Sequence, residues 1–326
     1  MRKKKRGYRL TGENLIVYLG KYTMIITCEN CKTRYKVADD ILNKPALKVR
    51  CYKCDHRFTV YKNEPADDSF LLQDELSPDD HRVITLSNQK GGVAKTTSCL
   101  NLAAALARMG KKVLLVDFDV QANLTILLGF RKTRSFYELL NKEVKGIRDI
   151  ILHTKYPNLS LLPSNSRMAL LKKRYLSQHN FEYLLKNKLR EIENKYDHIV
   201  IDTPPSIEFF TLNALVAAQL VLVPTTCEYL SMHGVSQISD IIKVLKGIDH
   251  DVEYKVLITM YDETKTSEKV INEKIRRKYG SMVCKTVIEL DDKVQESQIV
   301  NLPVQYYDEK SRSAAQYRAL AHELVG

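Results

Sequence analysis

The feature that most constrains this chain is a glycine turn that joins an apolar run to a helix-forming segment. Residues 82–87 form a short apolar run rich in β-branched side chains, residues 88–97 read NQKGGVAKTT, and an alanine- and leucine-rich segment follows to Met109. Backbone N–H groups of such a turn, together with the positive end of the next helix, can surround a phosphate group. The order strand, glycine turn, helix therefore predicts a phosphate-binding loop.

Two side chains of this turn suit a nucleoside triphosphate bound with magnesium. Lys95 can reach the β- and γ-phosphate oxygens, and the Thr96 hydroxyl can bind Mg²⁺. The usual pattern G-x-x-x-x-G-K-[ST] is not met, because Gln89 and Ala94 stand where that pattern has glycine. We expect the nucleotide to contact Lys90, Gly91, Gly92, Val93, Ala94, Lys95, Thr96 and Thr97.

Short apolar runs alternate with helical patterns beyond the turn. The further runs cover residues 113–116, 198–201, 220–223 and 255–259. This alternation predicts an α/β fold with a doubly wound, mostly parallel sheet that carries helices on both faces. Right-handed crossovers then bring the carboxyl ends of the strands, and any ligand, to one edge of the sheet.

The pattern K-G-G-x-x-K-T at residues 90–96 resembles the deviant phosphate loop of the ParA/MinD group of P-loop ATPases. The resemblance continues through DFDVQANLT at residues 117–125, IDTPP at residues 201–205 and YRALA at residues 317–321. It covers about residues 82–324, which identifies the ParA/Soj branch. It implies an ATPase that uses ATP and Mg²⁺ and forms a homodimer in the ATP state.

The resemblance also implies roles for individual residues. Lys90 would reach across the dimer to the partner's nucleotide and deliver a cation to the charge that develops on the γ-phosphate. Asp119 would orient the attacking water, so we expect Lys90, Lys95 and Asp119 to be catalytic. Asp202 ends the third strand and would hold Mg²⁺ through water, together with Thr96.

Two stretches depart from the family pattern. Val120 stands where relatives have proline, which loosens the loop without removing a reactive group. Residues 288–293 read IELDDK, where relatives have I-P-R-N-V-R. Because that loop lies near the base in relatives, the resemblance predicts phosphate binding more directly than base contacts.

The formal net charge of +12 and the pI near 9.2 indicate a polyanionic partner, with nucleic acid favoured over an anionic membrane surface. The ATP-bound dimers of relatives bind DNA without sequence preference, and the resemblance places two of their basic positions at Thr264, beside Lys265, and at Lys293. A basic helix pattern lies nearby, for which a merely solvated helix face is the alternative. We expect DNA contacts from Lys265, Arg276, Arg277 and Lys293.

Two close pairs of cysteines stand near the amino end of the chain. Cys28 and Cys31 are separated by nineteen residues from Cys51 and Cys54, a spacing typical of a tetrahedral Cys₄ zinc site. The segment resembles the short zinc ribbon found at the start of many bacterial proteins. Disulfides are the competing interpretation, which a reducing cytoplasm disfavours. Four cysteine ligands leave no position for water, so we expect Zn²⁺ to be structural and to supply the folding energy of this small module.

The chain is expected to divide into four parts. These are a basic arm at residues 1–23, a zinc ribbon at residues 24–62, an acidic linker at residues 63–80 and a P-loop ATPase domain at residues 81–326. The arm is interpreted as a disordered tail, an over-extended start or an extra phosphate contact. Because no apolar run approaches the ~20 residues that span a bilayer and the carboxyl end lacks a basic amphipathic tail, we expect no membrane anchor and a cytoplasmic, nucleoid-associated protein.

Two functions are compatible with these patterns. The first is a partition ATPase that cycles between a DNA-bound ATP dimer and a released monomer, stimulated by a ParB-like partner, and that segregates DNA or positions another cargo. The second is a zinc-ribbon regulator in which the ATPase fold gates the binding of nucleic acid or of a protein. The basic and aromatic side chains of the ribbon suit either kind of partner, or they only keep the module soluble.

Overall fold

The computed structural model describes residues 8–9, 23–28, 30–31, 33–38, 46–51, 53–61, 82–229, 231–246 and 252–325. The chain forms two compact units, residues 1–76 and residues 77–326. The predicted linker at residues 63–80 and most of the predicted arm lie outside the described residues.

The first unit is built from short strands. They are β1 (Tyr8–Arg9), β2 (Thr23–Thr27), β3 (Arg34–Ala38), β4 (Ala46–Arg50) and β5 (Arg57–Tyr61). The strands β2 and β3 form an antiparallel pair, while β4 lies between an antiparallel β5 and a parallel β1. Val49 and Phe58 face each other across β4 and β5, and both are buried.

The second unit contains an eight-stranded sheet. Its strands are β6 (Val83–Leu86), β7 (Val113–Asp117), β8 (Leu152–His153), β9 (Leu159–Leu162), β10 (His198–Asp202), β11 (Leu220–Thr225), β12 (Glu253–Tyr261) and β13 (Val283–Glu289). They lie in the order β13-β12-β11-β6-β10-β7-β9-β8, and only the pair β8–β9 of this described sheet is antiparallel. The predicted mostly parallel α/β sheet is confirmed.

Helices follow most of these strands. They are α1 (Lys95–Arg108), α2 (Asn123–Leu127), α3 (Phe136–Leu140), α4 (Ala169–Tyr175), α5 (Leu184–Leu189), α6 (Phe209–Ala217), α7 (Ser231–Lys246), α8 (Thr266–Tyr279), α9 (Asp292–Ile299), α10 (Val304–Tyr307) and α11 (Arg312–Val325). Within the described residues, no helix has both the length and the apolar character that crossing a membrane requires.

Both faces of the sheet are covered, as the neighbours of β6 show. Ile84 belongs to the same apolar cluster as Leu106 of α1 and Leu320 of α11. Its neighbour Val83 belongs to a second cluster, which contains Phe209 of α6. Side chains that alternate between two buried faces require helices on both sides of a parallel sheet, so the doubly wound arrangement follows from the apolar strands themselves.

The register of the central strands determines where the site forms. Asp202 at the end of β10 is aligned with Leu86 on one side and with Asp117 on the other. Because these three strands are parallel, the segments that follow them emerge at the same edge of the sheet. The loop after β6, the loop after β7 and the end of β10 therefore meet.

Candidate functional site

The loop between β6 and α1 has the backbone shape that its sequence predicts. Gly92 and Ala94 have positive φ values of 74° and 58°, and Ala94 directly precedes the first turn of α1. The left-handed conformation explains why the usual pattern has glycine at the position of Ala94, since any side chain there costs about 1–2 kcal/mol. The Thr259 hydroxyl donates a hydrogen bond to the carbonyl oxygen of Val93 at 3.2 Å, which fixes the loop to β12.

Lys95 begins α1 and turns its ammonium group back into the loop. Its Nζ donates a hydrogen bond to the carbonyl oxygen of Lys90 at 2.9 Å, and the side chain is largely buried. Burial lowers the pKa of Lys95, while the carboxylates of Asp202 and Asp119 oppose that change. The loop therefore curves around a cation that faces two carboxylates, which is an arrangement suited to a phosphate with a divalent metal ion.

Asp202 is fully buried, and neither of its oxygens has a hydrogen bond of normal geometry within the described part of the chain. Desolvation raises its pKa to about 8, the charge of Asp117 adds to the rise, and the side chain of Thr96 lies close enough to oppose it. A hydroxyl beside a buried carboxylate that lacks partners is a donor set that suits Mg²⁺. The residues present therefore fit the predicted metal ion.

The two aspartates at the carboxyl end of β7, Asp117 and Asp119, have different environments. Asp117 accepts hydrogen bonds from the backbone N–H of Thr125 at 2.8 Å and from its hydroxyl at 2.6 Å, so it organises the loop. Burial raises the pKa of Asp117 to about 6. Asp119 accepts a hydrogen bond from the backbone N–H of Gln121 at 3.0 Å and lies near Lys95. Of the two carboxylates, Asp119 is thus the one that faces the phosphate loop.

Lys90 is held by its own chain. Its Nζ donates hydrogen bonds to Glu228 Oε2 at 2.6 Å and to Ser231 Oγ at 3.0 Å, and this bond with Lys90 lowers the pKa of Glu228. Glu228 lies in the connection between β11 and α7, and Ser231 is the first residue of α7. The sequence patterns predicted no role for Glu228 or Ser231, because these residues lie 138 and 141 positions from Lys90 along the chain.

Asn88 couples the phosphate loop to the end of β11 and to α7. Its Nδ2 donates to the carbonyl oxygen of Pro224 at 2.8 Å, and its Oδ1 accepts from the backbone N–H of Lys90 at 3.0 Å. Gly234 of α7 packs directly against this side chain, since a Cβ atom at Gly234 would lie 2.2 Å from Asn88 Oδ1. The absence of a side chain at Gly234 therefore allows Asn88 to shape the loop.

A cavity of about 260 Å³ adjoins the phosphate loop. Gly92 and Thr97 line one side of it, and Met260, Leu290 and Gln298 line the other. Residues 288–291, from the stretch that departs from the family pattern, thus line a cavity beside the phosphate loop. Asp291 accepts hydrogen bonds from the backbone N–H groups of Lys293 at 3.0 Å and of Ser313 at 3.0 Å, near the starts of α9 and α11.

The predicted DNA-contacting residues differ in how firmly they are held. Lys265 pairs with Glu268 at 3.1 Å, and Lys293 pairs with Glu296 at 2.7 Å. The side chains of Lys265 and Lys293 are 55% and 43% exposed, so phosphates can compete with these carboxylates for both ammonium groups. Arg276 donates to the carbonyl oxygen of Cys284 at 3.2 Å and supports β13, whereas Arg277 is exposed on α8.

The four amino-terminal cysteines form one cluster. Their sulfur atoms all lie within 4.8 Å of one another, with Cys28 Sγ 3.6 Å from Cys54 Sγ and Cys31 Sγ 3.5 Å from Cys51 Sγ. All seven cysteines are described, and none forms a disulfide. Zinc bound at about 2.3 Å to four sulfurs separates them by roughly 3.8 Å, which matches the cluster. His56 packs against Phe58 and is not part of it.

Comparisons with known proteins agree with this geometry. Residues 81–258 match the family described as an AAA domain, and residues 24–59 match the family described as a zinc-ribbon domain. The chromosome partitioning protein ParA of Myxococcus xanthus is 35% identical over 249 residues, which are 75% of this chain and 88% of that protein. The sporulation initiation inhibitor protein Soj of Bacillus subtilis is 36% identical over 249 residues, 75% of this chain and 98% of that protein.

A solved structure from Mycobacterium smegmatis, described as cobyrinic acid a,c-diamide synthase with bound ADP and magnesium, is similar over the second unit. The TM-score is 0.65 and the sequence identity 33%, over 74% of this chain and 92% of that one.

We expect Gly234→Ala to weaken the binding of magnesium nucleotides by about tenfold or more, because the new methyl group displaces Asn88 and releases the loop. Isothermal titration calorimetry measures the affinity. Gln237→Ala, an exposed change on the same helix, is the matched control. Unchanged affinity in the Gly234 variant would contradict a role of Asn88 in shaping the loop.

We expect Asp202→Asn to stabilise the magnesium-free protein at alkaline pH. The folded-state pKa of about 8 exceeds the unfolded value of about 3.9, so the wild-type protein loses stability as pH rises between these two values. The variant lacks this loss, and its thermal midpoint at pH 8 should exceed that of the wild type by several degrees. The exposed change Asp240→Asn is the control, and an equal pH dependence in both variants would contradict the burial argument.

We expect one zinc ion for each chain, and we expect Cys51→Ser to abolish zinc binding because a buried ligand is lost. Metal analysis of the purified protein measures the zinc content. Cys284→Ala, which removes a buried thiol outside the cluster, should retain the metal. Zinc retained at wild-type level in the Cys51 variant would exclude the four-cysteine site.

Proposed function

Since the chain belongs to the ParA/Soj family of P-loop ATPases and carries an amino-terminal zinc ribbon, we propose that it is an ATP-hydrolysing partition or positioning switch. Its ATP-bound form dimerises, binds DNA without sequence preference, and segregates DNA or positions another cargo. The observation that carries this proposal is the meeting of Lys95, Asp119 and the buried Asp202 at one edge of the sheet.

The phosphate loop binds and orients the triphosphate. Backbone N–H groups of the loop and the ammonium group of Lys95 contact the β- and γ-phosphate oxygens. Thr96 and Asp202 would hold Mg²⁺. When bound, the metal ion neutralises charge on the phosphate oxygens.

Asp119 supports the hydrolytic step. Its carboxylate accepts a hydrogen bond from the water that attacks the γ-phosphorus, while the bond from that phosphorus to the β,γ-bridging oxygen breaks. The products are ADP and inorganic phosphate. The position of Asp119 near Lys95 supports this role, because the nucleophile must approach on the side of the γ-phosphate.

Dimerisation requires a change of partner for Lys90. Its side chain is 30% exposed and that of Glu228 is 64% exposed. An ion pair with this exposure contributes little free energy, so a partner's phosphate can compete for the ammonium group. In the dimer Lys90 stabilises charge on the nucleotide of the second copy, which links the nucleotide state to dimerisation.

DNA binding follows from the basic carboxyl-terminal half. Arg277 is exposed on α8, and Lys265 and Lys293 form ion pairs that exchange easily. Contacts of this type go to the phosphate backbone and therefore carry no sequence preference. A nucleoid-associated location and a ParB-like protein that stimulates hydrolysis complete the proposed cycle.

We expect Lys95→Ala to abolish ATP binding, and Asp119→Ala to bind ATP but hydrolyse it at least 100-fold more slowly and remain a DNA-bound dimer. Phosphate release gives the rate, and light scattering with a random-sequence duplex gives the assembly state. Asp240→Ala, an exposed change on α7, is the control.

Normal hydrolysis by the Asp119 variant would exclude its catalytic role. A wild-type protein that stays monomeric with a non-hydrolysable ATP analogue would contradict the switch itself. A footprint confined to one DNA sequence would favour the regulator over the partition ATPase.

A further inference from the structure

Three arginines occupy one row across the three-stranded sheet of the first unit. Arg9 of β1 is aligned with Arg50 of β4, and Arg50 is aligned with Arg57 of β5. Neighbouring strands lie about 4.8 Å apart, so the backbone positions of the row span roughly 10 Å. We call these three residues the arginine row.

Arg50 and Arg57 of this row belong to the side of the hairpin that faces away from its apolar contacts. Val49 and Phe58, which pair with each other one position along the strands, are buried. Residues alternate between the two sides of a strand, so Arg50 and Arg57 share the opposite side. Lys48, two residues before Arg50, lies on that side as well, and both Lys48 and Arg57 are exposed.

This arrangement is unfavourable for folding alone. Like charges placed directly opposite each other on neighbouring strands destabilise a sheet. A module of this size has little apolar burial with which to offset the repulsion. Among the described residues, Asp55 pairs with Arg50 and so compensates one positive charge of the row. A sequence that breaks a local folding rule in this way indicates a functional surface.

We propose that Arg50 and Arg57 of the arginine row, with Lys48, bind the phosphate backbone of a nucleic acid and do so without ATP. The guanidinium group matches phosphate with two parallel hydrogen bonds. The row has no apolar position between its charges. A nucleic acid carries a charge on every nucleotide of its backbone. The row therefore suits a nucleic acid better than a peptide, whose successive side chains point to opposite sides. This surface is separate from the proposed ATP-dependent DNA contacts of the second unit.

The test uses the full-length, zinc-loaded protein without nucleotide, which excludes binding by the ATP-bound dimer. Fluorescence anisotropy of a labelled random-sequence duplex is measured over a range of salt concentrations. The test variant carries Lys48→Glu and Arg57→Glu. The control variant carries Lys145→Glu and Arg148→Glu, two exposed changes in the second unit with the same effect on net charge. The basic residues 2–6 are unchanged in both variants, so their contribution cancels.

We expect the test variant to lose at least about tenfold in affinity and the slope of log affinity against log salt to fall by about 2, the value for two phosphate contacts. The control variant should stay within about threefold of the wild type, since only its long-range field changes. Equal zinc content in all three proteins shows that the ribbon is folded. Equal affinity losses in the two variants would overturn the proposal.

A second variant tests for a gain of binding. Asp55→Asn removes the carboxylate that competes for Arg50, and asparagine accepts the positive φ of 59° at this position. DNA affinity should rise by about two- to threefold. Asp240→Asn, which frees Lys243 from an exposed ion pair on α7, should leave the affinity unchanged.

An acidic partner protein is the other occupant that this surface could accept. Poly-glutamate with the same number of charges as the duplex serves as the competitor. The proposal is supported if poly-glutamate displaces the duplex at least about tenfold less effectively than unlabelled duplex does. Equal displacement by the two polymers would overturn the assignment to nucleic acid.

Discussion

A single buried carboxylate organises the second unit. Asp202 ends β10 between β6 and β7, where water is excluded and the described chain supplies no hydrogen bond of normal geometry. A charge in this environment opposes folding unless a cation binds beside it. The flanking strands and the helices α1 and α6 form continuous apolar clusters, whose burial offsets that cost. The rest of the unit therefore maintains a buried carboxylate close to Lys95, at the place where the proposed magnesium nucleotide would bind.

The phosphate loop depends on contacts that are distant along the chain. Asn88 connects it to the end of β11, Thr259 connects it to β12, and Lys90 is bound by the connection between β11 and α7. These contacts make the loop conformation sensitive to any movement of that connection. A ligand that draws Lys90 away also releases Glu228. Nucleotide binding in the proposed dimer would therefore change the protein surface at Glu228.

The sequence predicts the parts of this protein that depend on local patterns. Apolar runs located the central strands, the glycine turn located the phosphate loop, and the cysteine spacing located the cluster at Cys28, because each signal lies within a few residues. The partners of Lys90 and the contact between Gly234 and Asn88 join residues more than a hundred positions apart, and no local pattern encodes them. The basic pattern predicted Arg276 as a DNA contact, and only the structure shows that its guanidinium group also donates a hydrogen bond to the carbonyl oxygen of Cys284 in β13.

The arginine row has a consequence for the timing of the proposed cycle. A chain with two separate nucleic-acid surfaces binds a polymer by avidity, since the bound surface keeps the other at a high effective concentration. If only the surface of the second unit responds to hydrolysis, the ribbon retains the protein near the polymer after phosphate is released. The second unit then rebinds close to the point of release. The distance that the protein moves along the polymer in one turnover is therefore set by the time for which the ribbon stays bound.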